Sequence, residues 1–249
     1  MQLCDIIKKI VEKGKVIGMD KAHCGTRIIA FEGIDGTGKT VQISYLKQKL
    51  ESMGYRVGML SFPNYEGFFG RELGRMLSGD GKSSADKVDA KSMCLWYALD
   101  RFKTIGEIRL NEYDFLLLNR FTLSNVVYQS IRADERKREE MVDWILQLEH
   151  DCLKLPVPDM YMVFDVEPET SKKNVANKGY RDYVGDREDV YEKSRDLMDK
   201  ARKMYRSLAG KLGNITIIDC MDRESEMKSP LKINEEVLDA LKSKGIIQA

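Results

Sequence analysis

Histidine is scarce in this sequence. The 249 residues hold two, His23 and His150, and neither lies near a cysteine or aspartate cluster. That argues against a histidine metal site or a histidine-based triad. Cysteine is nearly as sparse: five, at positions 4, 24, 94, 152 and 220, odd in number and without C-x-x-C spacing. Such a set suggests a reduced, cytoplasmic chain whose cysteines are small buried hydrophobes. Neither sign of charge is in excess, with Lys plus Arg at 41 and Asp plus Glu at 40. Bulk electrostatics therefore give no hint of nucleic acid or a membrane surface as partner. No apolar run reaches the ~18 residues that span a bilayer. The opening "MQLCDIIKKIVEKGKVIG" has no h-region and no small-residue cleavage site, unlike a secretory signal. Leu3, Ile6, Ile7, Ile10 and Val11 instead fall at helical spacing between charged residues. Residues 1–25 are expected to be an N-terminal extension packed on a single domain over 26–249.

What is present alternates apolar runs with helical patterns. "TRIIAFEGI" (26–34), "YRVGMLSF" (55–62), "YDFLLLNR" (113–120), "DMYMVFDV" (159–166) and "ITIIDC" (215–220) read as five strands without polar alternation. Helical patterns fill 38–53, with Val41, Tyr45, Leu46 and Leu50 on one face, then 67–78, 86–110 and 138–150. Asn234 is a plausible N-cap for a final helix. Strands of this kind alternating with helices predict an α/β fold, a five-stranded parallel sheet covered on both faces. Residues 171–190 are polar and basic and read as an insertion able to move over the rest, a short lid.

One stretch carries chemistry outright. "GIDGTGKT", from Gly33 to Thr40, satisfies G-x-x-x-x-G-K-[ST] between a strand and a helix. In a P-loop of this kind, backbone N–H groups turn toward a nucleotide's phosphates, and the helix N-terminus adds partial positive charge. Gly33, Gly36, Thr37, Gly38, Lys39, Thr40 and Val41 form the expected ATP phosphate cradle. Lys39 is expected to reach the terminal phosphates and the Thr40 hydroxyl to ligate Mg²⁺. The guanine-reading N-K-x-D of GTPases is missing, since "NKGY" at 177–180 fails at its last residue. A small P-loop chain with a basic insertion in its C-terminal third suggests a nucleoside or nucleotide kinase. Arginines on a closing lid would neutralise the moving phosphoryl group and exclude water.

Six ordered motifs resemble the thymidylate kinase family over roughly residues 26–245. They are "FEGIDGTGKTVQ" (31–42), "FPNY" (62–65), "LWYALDR" (95–101), "NRFTLSNVVYQ" (119–129), "PDMYMVFDVEPE" (158–169) and "DVYEKSRDLMDKARKMY" (189–205). The resemblance implies a P-loop NTPase-type fold, ATP as phosphoryl donor, dTMP as acceptor, Mg²⁺, and a homodimer. It implies roles as well. Asp35 would approach the acceptor's 3′-hydroxyl. Tyr97 would stack on thymine, with Phe62 lining the base pocket. Arg101 would donate to a base carbonyl, and Asn125 would bond the base edge. Tyr65 and Arg120 would hold the acceptor phosphate, while Tyr128 would crowd the 2′ position. Tyr191, with Glu192 beside it, would close over the sugar.

Two departures stand out. The family's usual Asp-Arg pair after the third strand is Asn119-Arg120 here. Asn119 can still orient a metal-bound water but brings no negative charge. Gly36 stands where some family members carry a P-loop arginine, and members without it typically use lid arginines. Arg181 and Arg187 are this chain's candidates, Arg187 slightly favoured. Two other readings stay open: a kinase for another nucleoside monophosphate or a deoxynucleoside, and a regulatory nucleotide-binding protein without turnover, which Asn119 alone supports.

Overall fold

The computed structural model describes residues 25–79, 84–176 and 195–248. Five parallel strands form one sheet: β1 (Arg27–Glu32), β2 (Val57–Ser61), β3 (Phe115–Asn119), β4 (Met160–Asp165) and β5 (Ile215–Asp219), in the order β2-β3-β1-β4-β5. β1 is therefore central, and the chain crosses from one side of it to the other between β3 and β4. Open α/β sheets bind ligands beyond the carboxyl ends of their strands at such a crossing. Every residue of β4, and all of β1 after Arg27, is buried. That is why these strands show no polar alternation.

Eight α-helices are described: α1 (Lys39–Ser52), α2 (Phe68–Ser78), α3 (Ala90–Gly106), α4 (Thr122–Ser130), α5 (Arg138–Leu146), α6 (Pro168–Ala176), α7 (Arg195–Ala209) and α8 (Pro230–Ser243). They divide the core in two. Ile28 and Ala30 of β1, Leu116 and Leu118 of β3, and Tyr161 and Val163 of β4 pack against α2, α3, α4, α5 and α7. Ile29 and Phe31, Phe115 and Leu117, and Met160, Met162 and Phe164 point the other way, onto α1 and α8.

Several local expectations change. α1 buries Lys39, Gln42, Ile43, Leu46 and Leu50, whereas Val41 is 43% exposed. The buried stripe thus runs one residue round the helix from the face expected. α3 is shorter than 86–110 because the Asp89 side chain accepts the Ser92 N–H at 3.0 Å and starts the helix there. The final helix begins at Pro230 with Ser229 as its cap. Proline at the first helical turn loses no bond, and Asn234 lies inside the helix, donating to Gln42 Oε1 at 3.2 Å. After α5 the helix widens into a π segment, Gln147–Cys152, with the Leu153 N–H reaching back to the Leu148 carbonyl at 2.9 Å. The first residues of the expected lid, 171–176, are the end of α6. Cys94 and Cys220 are buried free thiols, and Cys4 and Cys24 lie outside the described residues.

Candidate functional site: a phosphate loop beside an acceptor pocket

β1 runs straight into the P-loop, and Gly33, Gly36 and Gly38 all take positive φ. Gly38, at φ 82°, is the N-cap of α1 and offers no side-chain cap, and no acidic residue stands in the first turn. The first N–H groups of α1 are thus left for an anion. Lys39 is buried and lies back across the loop. Its Nζ donates to the Gly33 and Ile34 carbonyls at 3.1 and 2.7 Å and to Thr37 Oγ1 at 3.3 Å. Thr40 is exposed at the start of α1.

α6 rests on the loop's outer turn. Ser171 Oγ donates to the Asp35 carbonyl, and Asn174 Nδ2 to the Gly36 carbonyl at 2.9 Å. Gly36 has φ 79°, and a Cβ there would overlap the Ser171 carbonyl oxygen. No arginine fits at this position while α6 is docked, which accounts physically for the glycine.

Across the carboxyl end of β3 lies a pocket. It gathers all eight described residues expected to hold the acceptor: Asp35, Phe62, Tyr65, Tyr97, Arg101, Arg120, Asn125 and Tyr128, with Asn119 at its margin. Arg120 is the hinge between loop and pocket. It takes φ 64°, and its N–H bonds the Phe31 carbonyl at 2.9 Å. Its Nη1 donates to the Gly33 carbonyl and to Ser124 Oγ, both at 3.1 Å, and its Nη2 pairs with Asp35 Oδ1 at 2.7 Å. The guanidinium also lies 5.6 Å from the Tyr128 ring centroid. Burial disfavours its charge, but Asp35 and the nearby oxygens outweigh that and hold its pKa well above the ordinary arginine value.

Two carboxylates absent from the sequence-based site hold this arrangement. Glu32 is fully buried, and its Oε1 accepts the N–H groups of Phe121 and Ser124 at 2.8 and 3.2 Å, capping α4. Its Oε2 accepts from Ser124 Oγ and, at 3.0 Å, from the Tyr205 hydroxyl. Burial raises its pKa, opposed by those hydrogen bonds and by Arg120. The signal was a carboxylate closing the apolar run "IIAFE" (28–32). Glu149, also fully buried, sits in the π segment and pairs with Arg101 through Nε at 2.8 Å and through Nη2. Arg101 itself is 2% exposed, so it meets the pocket from within the core. In sequence Glu149 looks like any charge on an exposed helix face.

Asn125 Oδ1 and Gln129 Nε2 are buried without a hydrogen-bond partner, although both residues line the pocket. Gln129 was not singled out from the sequence. Its Oε1 accepts from Arg132 Nη1 at 2.9 Å, which fixes Nε2 as the group left over. Asn119 donates weakly to Ser61 Oγ at 3.4 Å, and its Oδ1 is likewise buried and unpartnered. Arg181, Arg187, Tyr191 and Glu192 lie outside the described residues, as do residues 1–24.

Comparison with known proteins gives one consistent set of matches. The family model described as thymidylate kinase matches residues 31–230. The thymidylate kinase of Ligilactobacillus salivarius is 33% identical over 196 residues, covering 74% of this chain and 84% of that protein. The thymidylate kinase of Mycobacterium tuberculosis is 29% identical over 185 residues, covering 73% and 85%. Among solved structures, thymidylate kinase from Candida albicans superposes with a TM-score of 0.67 at 18% identity, over 88% of this chain and 92% of that one. At that identity the superposition speaks for the fold alone.

Proposed function

The chain belongs to the thymidylate kinase family, and we infer from that premise that it transfers the terminal phosphoryl group of ATP to dTMP, giving dTDP and ADP. The observation that carries the acceptor site is its convergence: eight residues from separate stretches of sequence line one pocket next to the phosphate loop. The two rival readings, a kinase for another acceptor and a regulatory binder, gain no support from the comparisons.

The residue roles belong to the same proposal. Backbone N–H groups from Gly33 to Val41 hold the ATP phosphates, and Lys39 swings from the loop carbonyls to the terminal ones. Arg120 and Tyr65 hold the dTMP phosphate. Asp35 leaves part of its charge pairing with Arg120 to accept the 3′-hydroxyl, and Tyr128 fills the 2′ side. Phe62 and Tyr97 flank the base, Arg101 donates to a base carbonyl, and Asn125 Oδ1 accepts from the base edge. Tyr191 and Glu192 close over the sugar. The attacking group is an anionic phosphate oxygen, so no side chain need take a proton from it. Catalysis is then positioning plus charge stabilisation. Arg187 or Arg181 supplies the positive charge that Gly36 cannot carry.

Mg²⁺ fits the oxygen donors present. The Thr40 hydroxyl is exposed at the loop, and Asn119 Oδ1 is an orphaned acceptor. When bound, Mg²⁺ neutralises phosphate charge, with Thr40 as ligand and Asn119 acting through water. We also propose that residues 26–249 act as one kinase domain with a lid near 171–190, as a homodimer in the cytoplasm. Phe68, 59% exposed on α2 beside Phe69 and Trp96, supports the dimer. The buried free thiols Cys94 and Cys220 support the compartment.

The test is coupled ADP release with ATP, Mg²⁺ and a panel of dTMP, dUMP, dCMP, UMP and thymidine, run beside Lys39→Ala. Strong preference for dTMP, falling ~100-fold or more in the variant, is expected. Preference for another acceptor, or ATP binding without turnover, would overturn the proposal.

A further inference from the structure

Both base-reading side chains are held by one group that never touches the pocket. Glu149 accepts four hydrogen bonds. Oε1 takes Arg101 Nη2 and, at 2.8 Å, Asn125 Nδ2. Oε2 takes Arg101 Nε at 2.8 Å and Thr122 Oγ1 at 2.7 Å. That fills the acceptor capacity of a carboxylate. An ionised carboxylate is acceptor-only, so every group facing it must present a donor. The consequence for Asn125 is directional. Its amide N–H₂ is drawn to Glu149, and also toward Cys94, whose carbonyl and Sγ both lie 3.1 Å away. Its Oδ1 must then be the atom left over, and it is the orphaned acceptor. Arg101, fixed along one edge of its guanidinium, can offer the pocket only donors.

We propose that Glu149 is the positioning residue that sets the hydrogen-bond polarity of the base pocket and thereby selects an imide pyrimidine over an amino pyrimidine. The inference rests on the dTMP kinase reading and deepens it. Thymine and uracil present a ring N–H to meet Asn125 Oδ1 and a carbonyl to meet Arg101. Cytosine reverses both: a lone pair would face Oδ1, and an amino group would face the guanidinium. Asn125 alone does not encode this choice, because a free amide can turn over and offer its N–H₂ instead. The carboxylate, with the Cys94 carbonyl beside it, denies it that turn. The π segment makes the contact, since it brings Glu149 inward from a helix that otherwise turns its acids to solvent.

The test uses the full chain with Glu149→Gln. Glutamine replaces one acceptor by a donor. In either orientation Arg101 loses a partner, and in one of them Asn125 faces a donor in place of its shorter acceptor, with only the Cys94 carbonyl left to hold its N–H₂. Michaelis constants for dTMP, dUMP and dCMP would be measured by ADP release. Thermal melting would confirm folding. The expected result is a KM for dTMP raised ~10-fold or more, with KM for ATP unchanged. The dTMP-to-dCMP ratio of kcat/KM should also fall by at least ~10-fold. If Glu149→Gln does not fold, Glu149→Asp carries the measurement, because it keeps the charge that Arg101 needs and draws it back from Asn125. A folded variant with the wild-type ratio, or with all three acceptors and ATP weakened in parallel, overturns the proposal. A wild-type enzyme that shows no preference for dTMP sinks the underlying function instead, so the two failures are distinguishable.

Discussion

Gly36 and Arg120 each hold a backbone conformation that side chains resist, and each does so at the phosphate loop. For Gly36 the obstacle is also a neighbour, the Ser171 carbonyl of α6. Gly36→Ala is expected to cost about 1–2 kcal/mol from its left-handed φ alone, plus the displacement of α6. Melting with and without ATP checks it: the variant should melt lower and gain less from the nucleotide. The loop itself was legible because glycine and lysine spacing encodes backbone shape directly. Asp35, Tyr97 and Asn125 were legible only through resemblance to the family, and the pocket then gathered them. Glu32 and Glu149 were not legible in their roles. A buried carboxylate and a solvated one are the same letter, and only packing separates them. Gln129 was missed for the same reason, as its orphaned N–H₂ depends on Arg132 holding its oxygen.

The joint between α7 and the end of β4 carries an ion-pair cluster. Asp165 is 3% exposed and accepts from Arg202 Nε at 2.6 Å and from Arg206 Nε at 2.9 Å. Burial pushes its pKa upward, but the two arginines prevail and leave it below the ordinary carboxylate value. A depressed folded pKa means stability that is present above the unfolded pKa and lost as pH falls through the folded one. Acid melting should show this loss beginning below about pH 4. Asp165→Asn should be less stable at pH 7 by about 1–3 kcal/mol and lack that share of the acid decline. An unchanged acid profile would count against the cluster. Element by element, strands were the clearest in sequence, being apolar runs closed by glycine, proline or a charge. Helix ends were the weakest. Ser229-Pro230 outcompeted Asn234 because proline pre-sets the first turn, and the π segment left no mark in the periodicity of "REEMVDWILQLEH".

On the scale of the whole molecule, the five-stranded parallel sheet was evident from the sequence, but its strand order was not. Order is fixed by which helix crosses which face, and no local pattern records that. The proposed homodimer belongs to this scale too. Phe68 stands 59% exposed, its ring centroid 5.3 Å from that of Phe69 and 6.5 Å from that of Trp96. Phe68→Glu is expected to shift sedimentation from dimer toward monomer at micromolar concentration without unfolding the chain. A wild-type monomer under the same conditions would end the dimer proposal.

The central strand has a further consequence. Its two faces differ in bulk and in polarity. Ile29 and Phe31 serve the side of two helices, a wholly apolar face. Ile28, Ala30 and the buried carboxylate of Glu32 serve the crowded side of five. A slip of one residue would exchange the two sets. Phenylalanine would be pressed into the alanine's place, and Glu32 would leave the Phe121, Ser124 and Tyr205 donors that satisfy it. The register of the strand that leads into the phosphate loop is thus spelled in side-chain volume and in one buried charge.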